Sequence, residues 1–104
     1  MTRPTTVLAV LRAARAKIRL KRNWCQRMNA RDKRGRRVEP TSDRACQWCG
    51  VGALLAVSPT RDLLDKAIIR FGRQPITRVN DIEGHAAVMR LFATAIRQME
   101  EAGR

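Results

Sequence analysis

The chain has 104 residues, of which 44% are hydrophobic, so it is long and apolar enough to form one folded domain rather than a disordered chain. Its net charge is +13, and residues 1–44 carry fourteen Lys or Arg against three Asp or Glu. No apolar run approaches the roughly 18 residues that span a bilayer, and the start of the chain lacks the layout of a secretory signal. We therefore expect a cytoplasmic protein with no membrane partner.

The first predicted helix starts after Thr5 or Thr6, either of which can cap it, and runs to about Asn23. Its apolar stripe has helical spacing and consists of Val7, Leu11, Ala14 and Ile18. A second face is entirely basic and consists of Arg12, Arg15, Arg19 and Arg22. Like charges at these spacings repel, and the helix carries no acidic residue. The pattern therefore predicts that a bound anion relieves the repulsion.

Residues 27–38 read as a short β-hairpin. Asp32 and Gly35 begin and end its turn, since Asp favours the first turn position and Gly tolerates positive φ. Its flanks and tip carry six basic side chains: Arg27, Arg31, Lys33, Arg34, Arg36 and Arg37. Pro40 is expected to end the hairpin.

A second helix is predicted over residues 45–57, capped by Thr41, Ser42 or Asp43. Gln47 is its only polar side chain, so we expect it to be buried at the centre of the fold. Gly50 and Gly52 would weaken it as an isolated helix, which suggests close approach by a neighbouring backbone.

Three further segments complete the predicted fold. Ser58 and Pro59 open a third helix that Gly72 ends, with an inner face made of Leu64, Ala67, Ile68 and Phe71. Residues 73–84 are expected to form a loop with a short extended stretch over 76–79, followed by a last helix over 85–102. The predicted fold is mainly α: about four helices around a buried central helix, with a small basic β-hairpin. We expect a single domain over residues 1–104, with the basic helix and hairpin in 1–44 and the helical core in 45–104.

Cysteine and histidine offer two kinds of chemistry. Cys46 and Cys49 have the spacing of half a zinc site, and Cys25 with His85 would complete a Cys3His set. Free cysteines are more often small core hydrophobes, and that interpretation is favoured here, with no cofactor expected and zinc as the alternative.

The other kind is nucleophilic catalysis. Cys49 with His85 as base and Asn80 or Asp81 as orienter would form a nucleophilic set. No local signature accompanies these common residue types, so we expect no enzymatic activity.

The basic region favours DNA or RNA as partner, because arginine binds phosphate in a bidentate manner. The expected binding residues are Arg12, Arg15, Arg19, Arg22, Arg31, Lys33, Arg34, Arg36 and Arg37. Two alternatives remain: a solvated face without a ligand, and a surface that grips an acidic host protein. The oligomeric state cannot be predicted from this pattern.

Short motifs along the chain resemble a small family of domains of unknown function found in actinobacteria and bacteriophages. They are residues 23–26 (NWCQ), 30–32 (ARD) with 35–41, 48–54 (WC with GAL), 76–81 (ITRVND) and His85 with Val88. The resemblance implies a compact helical domain with a small hairpin, encoded by a bacterium or a phage. It implies no established activity and no catalytic residues. We therefore expect a non-enzymatic accessory protein.

Overall fold

The computed structural model describes residues 4–73 and 75–103, and over these residues the fold is mainly α, as predicted. The elements are α1 (Val7–Ile18), a 3₁₀ turn (Lys21–Asn23), β1 (Ala30–Arg31), β2 (Gln47–Trp48), α2 (Gly50–Val57), α3 (Arg61–Ile69), α4 (Ile76–Arg78), a π-helical turn (Val79–Glu83) and α5 (His85–Ala102). No helix in the described ranges is long and apolar enough to cross a membrane. Gln74, in the predicted loop, lies outside the described residues.

Helix α1 begins as predicted and ends early. The Thr6 hydroxyl accepts a hydrogen bond from the backbone N–H of Ala9 (3.1 Å) and caps the helix. The buried face consists of Val10, Leu11, Ala14 and Ile18, while Val7 is half-buried. The predicted end near Asn23 is wrong. The Ile18 carbonyl accepts a hydrogen bond from Nε2 of His85 (2.7 Å). In a longer helix the same carbonyl oxygen would accept from the backbone N–H four residues later, so the bond to His85 takes the place of a further helical turn.

The predicted hairpin turn is confirmed. The backbone N–H of Gly35 donates to the Asp32 carbonyl (3.0 Å), and Gly35 has a φ of 78°, which only glycine adopts freely. The hairpin arms meet at an antiparallel bridge between Arg31 and Arg37. On its other side, β1 pairs antiparallel with β2, which places Ala30 opposite Trp48.

The second helix starts later than predicted. Residues 47–48 form β2 rather than the first turn of a helix, because pairing with β1 provides their backbone hydrogen bonds. Its cap is Cys49, whose Sγ accepts from the N–H of Gly52 (3.2 Å), so the predicted caps at residues 41–43 are wrong. The predicted close approach is confirmed: a Cβ on Gly52 would lie 1.7 Å from the Asn29 carbonyl oxygen.

The remaining helices enclose the core. Thr60 caps α3 through a hydrogen bond from the N–H of Leu63 (3.2 Å), whereas Ser58 ends α2, so the predicted cap at Ser58 is wrong. The predicted extended stretch over 76–79 is also wrong, because α4 and the π-helical turn occupy it. The bounds predicted for α5 are confirmed. Helix α2 packs against α1, α3 and α4, and the largest fully buried side chain is Phe92.

Candidate functional site

The helical part of the basic region is exposed. Arg12 and Arg15 project into solvent from α1, Arg19 from the residue that caps its C-terminus, and Arg22 from the 3₁₀ turn that follows. Arg12 contacts the Glu100 carboxylate of α5 (2.9 Å), an acidic partner from a distant part of the chain. The other three guanidinium groups form no ion pair with any described residue. Three positive charges therefore stay available on this side.

The tip of the hairpin is held by one acidic side chain. Asp32 is only 8% exposed, and its carboxylate accepts hydrogen bonds from the N–H groups of Arg34 and Arg36 (both 2.9 Å) and from Nε of Arg36 (3.2 Å). The backbone N–H of Arg36, and then that of Arg34, lowers the pKa of this carboxyl against the opposing effect of burial. Residues 33–37 are all exposed around it. The tip is thus a fixed turn with four basic side chains facing solvent.

Two grooves connect these elements. A groove of about 430 Å³ brings Arg22 of the 3₁₀ turn and Lys33 of the hairpin tip to the same opening. A neighbouring groove of about 390 Å³ shares Lys33 and adds Arg34, Arg36 and Arg44. Both have Cys46 and Asp32 in their walls. We call the exposed set the basic surface: Arg12, Arg15, Arg19, Arg22, Lys33, Arg34, Arg36, Arg37 and Arg44.

The basic surface differs from the predicted binding residues at two positions: Arg31 is not part of it, and Arg44 is. Arg31 is half-buried, and its Nη2 donates to the backbone carbonyl of Gln26 (3.0 Å), so it holds the hairpin against the preceding segment. Its Nε is buried without a hydrogen-bond partner among the described residues. Arg44 was missed, because it follows the hairpin in the sequence and only the packing of residues 43–46 against the tip places it in the groove.

Three of the four residues considered as zinc ligands, Cys25, Cys49 and His85, take part in the packing and hydrogen bonding of this fold. Cys49 caps α2, and burial, then the neighbouring Cys49 thiol, raise the pKa of Cys25 to about 11. His85 donates to the Ile18 carbonyl and packs against Trp24, with ring centroids 5.4 Å apart. Within the ranges that the structure describes, no three Cys, His, Asp or Glu side chains are arranged to hold a metal ion.

Asn80, one of the two residues considered as a catalytic orienter, is the centre of a buried polar hub. Oδ1 of Asn80 accepts from the Trp24 indole N–H (2.6 Å) and from the N–H of Gly50 (3.0 Å). Its Nδ2 donates to the Cys25 carbonyl (3.0 Å) and to Asp81 (3.0 Å). Asn80 is 1% exposed; its bonds to Gly50 and Cys25 are buried, and those to Trp24 and Asp81 are partly buried. The hub holds the segment after α1 against α2 and the π-helical turn.

Asp81 extends this hub to the start of the hairpin. Its carboxylate accepts from the N–H of Arg27 (2.9 Å), the one non-glycine residue with positive φ (67°) among those described. Nε2 of Gln26 donates to the carbonyls of Asn80 (3.1 Å) and Asp81 (3.2 Å). These bonds turn the chain between α1 and β1, which brings Arg22 beside the hairpin.

The family comparison covers nearly the whole chain. The model of a family of unknown function, DUF6197, matches residues 2–98. The chain belongs to DUF6197. This confirms the predicted membership of a family of domains of unknown function. Searches of curated proteins and of solved structures give no match.

Several of the motif residues that resemble the family stabilise the fold of this DUF6197 member. Trp24 and Asn80 meet in the hub, and the Trp48 indole N–H donates to the Pro40 carbonyl (2.9 Å). Lys17 lies over the Trp48 ring, with Nζ 4.1 Å from its centroid, and so ties α1 to β2. These contacts give part of the motif residues a role in the fold, whereas Arg36 and Arg37, in the motif over residues 35–41, belong to the basic surface, which is the candidate site.

Proposed function

We propose that this DUF6197 protein binds nucleic acid through phosphate contacts made by the basic surface, as a non-enzymatic accessory protein of a bacterium or a phage. The observation that carries the proposal is the groove that joins Arg22 to Lys33, since it makes one surface from two basic elements. One arginine side chain can donate two parallel hydrogen bonds to two oxygens of the same phosphate, and each phosphate contact releases counterions from the nucleic acid.

The charges on this surface are mostly uncompensated. Arg12 contacts Glu100 and Arg36 contacts Asp32, while the other members form no ion pair within the described residues. Exposed ion pairs contribute at most about 1 kcal/mol, so Glu100 competes only weakly with a phosphate for Arg12. A polyanion is therefore attracted by a field that the protein itself does not neutralise.

Salt dependence tests the proposal directly. If about six phosphates are contacted, the logarithm of the binding constant should fall with the logarithm of salt concentration at a slope near −5. Fluorescence anisotropy with labelled DNA and RNA of mixed sequence measures this slope. Absence of binding to both at low salt, or a flat response, would refute the proposal.

A matched pair of variants distinguishes this surface from bulk charge. The double substitution Arg22→Gln with Lys33→Gln removes two positive charges from the connecting groove and should reduce the salt slope by about 2. Arg90→Gln with Arg97→Gln removes the same charge from exposed positions on α5 and should leave the slope unchanged. Equal losses in both would show that the binding site is not the basic surface.

The same surface could instead grip an acidic protein, and a pull-down from host lysate separates the two cases. Nucleic-acid binding predicts that captured proteins are lost after nuclease treatment. Retention of a single acidic protein after nuclease, with no binding of bare nucleic acid, would favour the protein partner.

A further inference from the structure

The hairpin tip has a fixed shape before any ligand is bound. Besides the three hydrogen bonds to its carboxylate, the backbone of Asp32 bonds to Arg36 and Gly35, and the N–H of Val38 donates to Ala30 (3.2 Å). A ligand that contacts this tip therefore meets an ordered turn closed by one antiparallel bridge, and little entropy is lost in arranging it. Lys33, Arg34, Arg36 and Arg37 project from this turn into solvent.

We infer that the ligand is double-stranded DNA and that this tip enters its major groove, while the arginines of α1 contact the flanking phosphates. The inference rests on the proposed nucleic-acid binding. The major groove of B-form DNA, about 12 Å wide, admits a two-stranded ribbon. The major groove of an A-form RNA duplex is deep and narrow and does not.

The aromatic side chains favour a duplex over a single strand. Proteins that bind single strands stack the bases on exposed aromatic rings, at about 1–3 kcal/mol per base. Here the four aromatic residues of the chain are committed to the fold. Trp24 packs on His85, Lys17 covers Trp48, and the two phenylalanines meet edge to face with centroids 5.0 Å apart. Binding must therefore come from attraction to the phosphate charges, and a duplex carries more of these charges per unit length than a single strand does.

Two aspartate variants provide the sharpest test, because both raise the net charge by one. Asp32→Ala removes the group that orders the tip, and we expect it to weaken binding to a 20-base-pair DNA duplex at least fivefold despite the added positive charge. Asp43→Ala is the matched control: Asp43 is exposed in the neighbouring groove, and its side chain bonds to no described residue. It should bind as tightly as the parent or tighter.

Circular dichroism and thermal melting establish that both aspartate variants are folded. If Asp32→Ala fails to fold, Arg34→Ala replaces it, since the Arg34 side chain is exposed and only its backbone bonds to Asp32. That variant should weaken duplex binding at least threefold. Tighter duplex binding by Asp32→Ala, or unchanged binding by Arg34→Ala, would overturn the role of the tip.

Ligand comparison and groove competitors complete the test. The DNA duplex should bind at least tenfold more tightly than an RNA duplex or a DNA single strand of the same sequence, at the same salt. Methyl green, which occupies the major groove, should displace the protein, and distamycin, which occupies the minor groove, should not. Equal binding of the three ligands, or displacement by distamycin alone, overturns this inference and leaves the proposed function standing. Binding to none of the three overturns the proposed function itself.

Discussion

Asn80 should contribute more to stability than any residue of the basic surface. Asn80→Leu keeps the branching of the side chain but replaces its amide with larger methyl groups, and it leaves three groups in the hub without partners: the Trp24 indole N–H, the Gly50 N–H and the Cys25 carbonyl. Each buried polar group left without a partner costs about 1–3 kcal/mol, so the expected loss is on the order of 4 kcal/mol. Small domains are stable by only about 5–15 kcal/mol, so the variant should be close to unfolding.

Urea unfolding, followed by circular dichroism and tryptophan fluorescence, measures this loss. The fluorescence of Trp24 should also change in the native state, because its indole loses a 2.6 Å hydrogen bond. Asn23→Leu is the control, because Asn23 is half-buried and its side chain bonds to no described residue. The free energy of unfolding of this variant should differ from that of the parent protein by less than about 1 kcal/mol. A loss below about 1 kcal/mol in Asn80→Leu would refute the role of the hub.

Three further predictions concern the core and the thiols. Gly52→Ala should destabilise the protein by about 3 kcal/mol or more, because its Cβ would lie 1.7 Å from the Asn29 carbonyl oxygen, whereas Gly103→Ala meets nothing closer than 3.6 Å and should be neutral in the same urea titration. Burial raises the pKa of the Cys25 thiol from 9.0 to about 11, so the folded state keeps this thiol protonated. Its contribution to the free energy of unfolding is complete below pH 9 and is lost as pH rises to 11, and Cys25→Ala should reduce this alkaline loss of stability. At neutral pH, iodoacetamide followed by mass spectrometry should label the half-buried Cys46 before Cys25, and the opposite order would contradict this description of the thiols.

Local patterns were sufficient where a helix or turn depends on its own residues. The last helix was predicted over residues 85–102, the observed bounds of α5, and the Asp32 to Gly35 turn was predicted from its residue types. In both cases the hydrogen bonds connect residues within a few positions of each other, so the sequence nearby contains the information.

Contacts between residues far apart in the sequence determine the structure of the segments 45–57 and 76–83, which were predicted wrongly. Residues 45–57 are apolar enough for a continuous helix, yet β1 pairs with residues 47–48 and delays α2 to Gly50. The π-helical turn likewise depends on Asn80, whose partners lie 30 or more positions away apart from Asp81. Apolar periodicity carries no information about which distant backbone group will compete for a residue.

The candidate site shows the same division. Periodicity correctly placed Arg12 and Arg15 on a solvent-exposed side of α1, and Arg19 is exposed at its C-cap, but the pattern extended the same helix to Arg22. The early end of α1 moves Arg22 into the groove beside Lys33, which the sequence pattern does not indicate. Exposure follows from the amphipathic pattern of one helix, whereas the joining of two basic elements follows from the packing between them.

The chain separates the residues that maintain the fold from those proposed to bind a ligand. Asn80, Asp81 and His85 are engaged in turning the chain after α1, and they have hydrogen-bond partners inside the fold. The arginines of the basic surface mostly have none, so replacing them should alter stability by less than about 1 kcal/mol. Asp32 is the exception, since it is buried by the fold and also orders the tip. It is therefore the position at which a structural contact and the proposed binding should be lost together.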